Sequence, residues 1–178
     1  MRSTTPPSPD ELSEKSKLQE LKLPALPIAG AEDSNKKNKL ATLANKVAQL
    51  AKSVAIFSEA EFAPEHSVIS APTYVFNYTI TISNHGVHSI QLLQRQWAIT
   101  NGRGEQIIVE GQGVVGMNPT IAAGQSFCYS SVAEISTPRG SMEGRYLFVD
   151  LKSSTEFWVD IPAFVLYAPV HKKDLYLN

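Results

Sequence analysis

The apolar positions of this chain change period once, near residue 53. Before that point Leu40, Leu43, Val47 and Leu50 recur at steps of three and four, which places them on one stripe of an α-helix. Ser34 can cap such a helix, and Lys36, Lys37, Lys39, Lys46 and Lys52 are spread around it. The stretch 34–52 is therefore predicted to be a short amphipathic helix, packed on the following domain or formed against a partner. A basic amphipathic helix can also lie on a membrane surface, but this stripe has no aromatic residue to anchor it.

After residue 53 the period is two. Tyr74, Phe76, Tyr78, Ile80 and Ile82 alternate with Val75, Asn77, Thr79, Thr81 and Ser83, a strand with one buried face that ends at the turn signal Asn84-His85-Gly86. In the next run, from Ile90 to Thr100, Leu92 and Leu93 are adjacent. The apolar phase slips by one there, and a β-bulge would let Leu93, Trp97 and Ile99 take the face that Ile90 and Leu92 held before it. A hairpin at Asn101-Gly102-Arg103-Gly104 leads into a strand from Gln106 to Glu110. Further strands are predicted at 126–130, with Phe127 and Tyr129 inward, and at about 144–151. A last one carries Phe157, Val159 and Ile161 and stops at Pro162. About seven short strands, with no helical period after residue 53, predict an all-β antiparallel sandwich of the immunoglobulin or fibronectin-III kind.

The domain plan follows. Residues 1–33 combine Pro6, Pro7, Pro9, Pro24 and Pro27 with Ser, Glu and Lys, a composition that cannot bury enough apolar surface to offset its ordering entropy. The expected plan is a disordered leader and short helix over 1–52, a sandwich over 53–170 and a tail over 171–178.

Charge and cysteine content narrow the function classes. The net charge is −1. Residues 1–52 hold nine Lys/Arg against six Asp/Glu, net +3, and the remainder holds seven against eleven, net −4. An acidic folded part argues against nucleic acid as a partner. A lone cysteine, Cys128, excludes an internal disulfide framework and fits a reducing, cytoplasmic compartment, with a nuclear or organellar one still open. No apolar run is long enough to span a membrane, and the N-terminus has no signal-peptide core.

Several blocks, taken in order, resemble one known family. They are YVFNYTITISN from Tyr74 to Asn84, QLLQRQWAIT from Gln91 to Thr100, and GQGVVG from Gly111 to Gly116 followed by Asn118-Pro119. GSMEG from Gly140 to Gly144 and IPAF from Ile161 to Phe164 complete the set. Over about Val54 to Leu166 the chain resembles the ApaG domain. The resemblance implies a fibronectin-type sandwich without an established catalytic activity. In bacteria it implies a link to cobalt resistance and magnesium efflux. In eukaryotes it implies protein binding, as in some F-box proteins and a polymerase-interacting protein. The chain shows no F-box pattern, and its extra N-terminal residues depart from the usual bacterial form.

Candidate chemistry centres on the glycine run. Gly111-x-Gly113-x-x-Gly116, with Glu134 beyond it, has dinucleotide-binding spacing. That fingerprint needs a helix N-terminus under the pyrophosphate, and Pro119 and Gly124 interrupt the segment where the helix would be. What survives is a backbone N–H nest for a weak anion ligand such as pyrophosphate or a nucleotide. Against it stands the plainer role of glycines in allowing positive φ. His85 and His88 lie beside a turn without a third metal ligand, and no serine sits in a nucleophile elbow. No catalytic residue, cofactor or metal is expected.

The favoured expectation is a non-catalytic module for an unidentified protein partner. Its contact loops, 111–119 and 136–144 at one end of the sandwich, would supply Gly111, Gly113, Val114, Val115, Gly116 and Asn118 together with Met142 and Glu143. Arg95 and Trp158 form a second candidate surface patch, since Arg and Trp dominate interface hot spots.

Overall fold

The computed structural model describes residues 31–68 and 70–169. The expected leader up to residue 30 and the expected tail lie outside the described residues. The chain divides between Asn38 and Lys39, within one helix, α1, which runs Ala31–Lys52. Because α1 starts before Ser34, that serine is not its cap. Asp33 instead lies in the first turn, where a carboxylate favours the positive end of the helix dipole, and meets Lys37 Nζ at 3.1 Å. Only part of the predicted apolar stripe is used. Val47 and Leu50, with Ala51, pack against the core, while Leu40 and Leu43 stay exposed.

The rest is an antiparallel sandwich of eight strands. They are β1 Val54–Phe62, β2 Tyr74–Asn84, β3 Ile90–Asn101, β4 Gln106–Gln112, β5 Thr120–Ile121, β6 Ser126–Ile135, β7 Arg139–Asp150 and β8 Thr155–Tyr167. One sheet has the order β1-β2-β6. The larger has the order β4-β3-β7-β8, with β5 paired to β3. The alternation in β2 explains its burial: Tyr74, Phe76, Tyr78, Ile80 and Ile82 all enter the core, and their partners across β6 supply Tyr129, Ala133 and Ile135 to the same layer. Among the described residues no helix is long and apolar enough to cross a membrane.

The slip in β3 is a bulge. Its register against β7 shifts between Leu92 and Gln94, so Ile90 and Leu92 are buried before it and Trp97 after it. Two strands are longer than their sequence suggests. β7 begins at Arg139, well before residue 144, and β8 runs through Pro162 to Tyr167 instead of stopping there. A second register shift, between Met142 and Gly144, falls opposite Pro162 and Ala163. Proline is tolerated at such a bulge because the ladder is already interrupted.

Two buried polar side chains tie one end of the sandwich together. Asn84 Nδ2 donates to His88 O at 2.8 Å and Ile121 O at 3.0 Å, and Asn84 Oδ1 accepts the Gly86 N–H. Asp150, 1% exposed, accepts the N–H groups of Lys152 and Ser153 at Oδ1 and meets His88 Nδ1 at 3.0 Å through Oδ2. His88, beside the turn, is thus bonded to a buried carboxylate. Burial alone would push the Asp150 carboxyl up, but hydrogen bonds from Ser153 and His88 outweigh it and hold the group below its ordinary value of 3.8.

A folded value below the unfolded one means that Asp150 contributes stability above about pH 4, lost as the pH falls through the folded value. Asp150→Asn should lower stability at pH 7 by about 1–3 kcal/mol. It should also flatten the loss of stability between about pH 5 and pH 2 relative to the parent. Urea denaturation of both proteins across that range checks this. Parallel pH profiles would show that Asp150 is not the group responsible.

Candidate functional site

The glycine run closes on itself. Gly113 and Gly116 have φ of 56° and 78°, the left-handed region that glycine enters without penalty. A Cβ on Gly113 would lie 1.9 Å from the Met117 carbonyl oxygen, so no other residue fits the turn as built. The N–H groups of Gly113, Val114 and Met117 are donated to the carbonyls of Leu93, Met117 and Val114. Asn118 Nδ2 donates to Leu92 O and Leu93 O, locking the loop over the β3 bulge. Arg95 Nη1 donates to Gln112 O at 2.9 Å and Gly113 O at 2.7 Å. The nearest guanidinium therefore serves the loop's carbonyls, and three of the N–H groups that a nest would need are spent internally. After Gly116 the chain leads to β5, with no helix to receive a pyrophosphate.

Arg95 shares the inward face of β3 with Trp97, which is 2% exposed. Above them the hydroxyls of Tyr129 and Tyr146 bond to each other between the two sheets. Burial disfavours the charged phenolate and pushes the pKa of both tyrosines above the ordinary value, and the nearby Arg95 charge opposes that rise. Trp158 faces the other way. Across the register, Trp158 lies on the row of Leu147 and Gln94, one residue out of phase with Val159, Tyr146 and Arg95. The side chains of Arg95 and Trp158 thus leave opposite faces of the large sheet, although both residues border one shallow pocket with Gln94, Glu110 and Arg145.

The expected pairing of contact loops also fails. The 113–119 loop sits over Leu92 and Leu93, near the start of β3, whereas Gly140 pairs with Asn101 at its far end. Residues 139–144 are strand, not loop. Val114 and Met142, at 0% and 1% exposure, are core residues and cannot present side chains to a partner. Val115, Gly116, Asn118 and Glu143 are exposed, and Gly111 is half-buried against the Arg95 guanidinium.

The structure gathers a different constellation on the outer face of the large sheet. Arg145 Cζ stacks 4.4 Å from the centroid of the Trp158 ring. Arg145 Nε donates to Gln96 Oε1 at 2.6 Å, and Gln96 Nε2 donates to Glu110 Oε1. One chain of contacts so crosses all four strands, from β8 to β4. Beside it lies an open groove of about 750 Å³, lined by Ala98, Ile108, Pro162 and Ala163 and by the acids Glu110, Glu143 and Asp160. Sequence reasoning singled out Trp158 and Glu143 but missed Arg145, Gln96, Glu110 and Asp160. Pro162, within an alternating run, was the available signal of a bulge. Among the described residues no group of three or more His, Cys, Asp or Glu is arranged to hold a metal ion.

Comparison with known proteins places this geometry. An ApaG domain model matches residues 64–150. Protein ApaG of Escherichia coli K12/DH10B is 44% identical over 114 residues, 64% of this chain and 86% of the relative. Protein ApaG of Shigella boydii matches to the same extent. Among solved structures, an ApaA protein from Bordetella pertussis superposes with a TM-score of 0.63 at 37% identity, covering 66% of this chain and 95% of that one.

The loop yields two substitutions of opposite sign. Gly113→Ala must push the Met117 carbonyl aside and should destabilise by more than about 2 kcal/mol. Val115 is a β-branched residue at φ 46°, a strained conformation costing about 1–3 kcal/mol. Val115→Gly should recover part of that and raise the melting temperature. Thermal unfolding of both variants is the measurement, and a Val115→Gly protein that melts earlier than the parent would show that its side chain contributes more than its backbone costs.

Proposed function

From the premise that the chain belongs to the ApaG domain family, we propose that it is a non-catalytic protein-binding module whose contact surface is the outer face of the large sheet. The observation that carries this reading is the Trp158–Arg145–Gln96–Glu110 chain. Tryptophan and arginine are the residues most enriched at interface hot spots. Here the guanidinium of Arg145 is already held, through Nε by Gln96 and on its face by the Trp158 ring, so less side-chain entropy is lost on binding.

The groove beside the chain supplies the complementary half. Its apolar lining suits an aliphatic or aromatic side chain, and Glu110, Glu143 and Asp160 suit a partner segment that carries Lys or Arg next to that side chain. The glycine loop has a supporting role in this reading. It anchors the start of β3, from which Gln96 and Ala98 project into the groove region.

Glu143→Lys and Arg145→Glu should each leave the melt within about 0.5 kcal/mol of the parent, as exposed substitutions usually do. Both should weaken capture of partner proteins at least tenfold in a quantitative pull-down, while Lys152→Ala, at the far turn, should not. If both groove variants fold normally and capture the same proteins as the parent, the contact surface lies elsewhere.

A further inference from the structure

The large sheet ends at β4, and that edge is unguarded. Ile107, Ile108 and Val109 are consecutive and 59%, 53% and 37% exposed. Two other sheet edges carry devices that discourage pairing. β8 has Pro162 with its bulge and runs beside β1, and β1 itself carries Glu59 and Glu61. Between Gln106 and Val109, β4 has no proline, charge or bulge. An exposed, regular, apolar edge is a template for another strand.

The free groups on this edge follow from the ladder. Gly113 N–H bonds to Leu93 O, and Asn101 N–H bonds to Glu105 O. Hydrogen-bonded pairs alternate in an antiparallel ladder, so the odd-numbered residues of β4 bond to β3. Gln106, Ile108, Glu110 and Gln112 then aim their N–H and C=O groups away from the sheet.

We propose that this edge is a homodimer interface in which β4 pairs antiparallel with β4 of a second copy, about a two-fold axis at Ile108. The sequence is self-complementary in that register. Ile108 faces Ile108 of the second copy as a hydrogen-bonded pair, and each Gln106 faces a Glu110 as another. Ile107 faces Val109 in between. The outward-facing groups of one strand meet those of the other. Each Glu110 meets a neutral Gln106, so no like charges are opposed. A one-residue shift would place bonded groups opposite unbonded ones and is disfavoured. The edge shares Ile108 and Glu110 with the groove, but self-pairing rests on the backbone register of β4 and its test reads mass and cross-linking, not capture of other proteins.

The test is the mass of the full chain by sedimentation equilibrium over a concentration series, with site-directed cross-linking. The parent should show a concentration-dependent dimer. Ile108→Lys, which sets two ammonium groups opposite each other, should raise the dimer dissociation constant at least tenfold, with a melting temperature unchanged at dilutions where the parent is monomeric. In a Cys128→Ser background, Ile108→Cys should oxidise to a covalent dimer, because the Cα separation of a hydrogen-bonded pair, about 5.5 Å, falls within disulfide range. Glu110→Cys, four residues out of register with its own copy, should not. A parent monomeric at all concentrations overturns the proposal, as does a dimer that Ile108→Lys leaves intact. A dimer cross-linked by Glu110→Cys and not by Ile108→Cys overturns the register.

Discussion

One extra residue in β3 decides which way every later side chain of that strand points. Successive strand residues face opposite sides, so a single unpaired residue exchanges the two faces. Leu93 is that residue: the register against β7 passes from Leu92 to Gln94. Upstream, even-numbered Ile90 and Leu92 are inside. Downstream, Arg95 and Trp97 take the inner side, and Gln96 and Ala98 the outer. Without the bulge, Trp97 would leave the aromatic cluster it forms with Tyr78, Tyr146 and Phe164.

The glycine loop is the device that holds the bulge. A bulge frees carbonyls from the ladder, and buried carbonyls need donors. Asn118 Nδ2 supplies them for Leu92 and Leu93, and Arg95 supplies them for Gln112 and Gly113. The left-handed turn at Gly113 is what brings Asn118 back over β3. The loop's unusual glycine content is thus accounted for by the close approach of its own backbone, with no ligand required. An arginine that could have served an anion is committed to neutral oxygens.

A consequence is that the large sheet has two chemically distinct faces. Its inner face is an aromatic and aliphatic core crossed by the Tyr129–Tyr146 hydroxyl pair, with Arg95 and Asp150 bonded at its margins. Its outer face is organised by side-chain contacts that run across the strands instead of along them. Such contacts join residues far apart in the chain, Gln96 with Arg145 and Arg145 with Trp158, and they leave an acidic, partly apolar groove open to solvent. The chain belongs to the ApaG domain family, and this cross-strand chemistry lies on the surface of its large sheet.

What the sequence determined by itself was everything set by local period. The strand from Tyr74 to Asn84, the slip at Leu92 and Leu93, the hairpin at Gly102 and the helical stripe ahead of the domain are all legible there, because burial alternates with backbone geometry residue by residue. What it did not determine was register between distant strands. Met142 looked like loop because its neighbours Gly140 and Gly144 are turn formers. In the fold those glycines are strand residues, with room for no Cβ beside the Thr100 and Gln96 carbonyls of β3. Arg95 and Trp158 looked like one patch, and only the pairing of β3, β7 and β8 puts them on opposite faces. Pro162 looked like a terminus, and only its place in a β8 bulge, where it and Ala163 together face Glu143 of β7, lets the strand continue. Each of these depends on which residue of another strand lies alongside, a long-range choice made by the packing of two sheets and not by the local pattern of either.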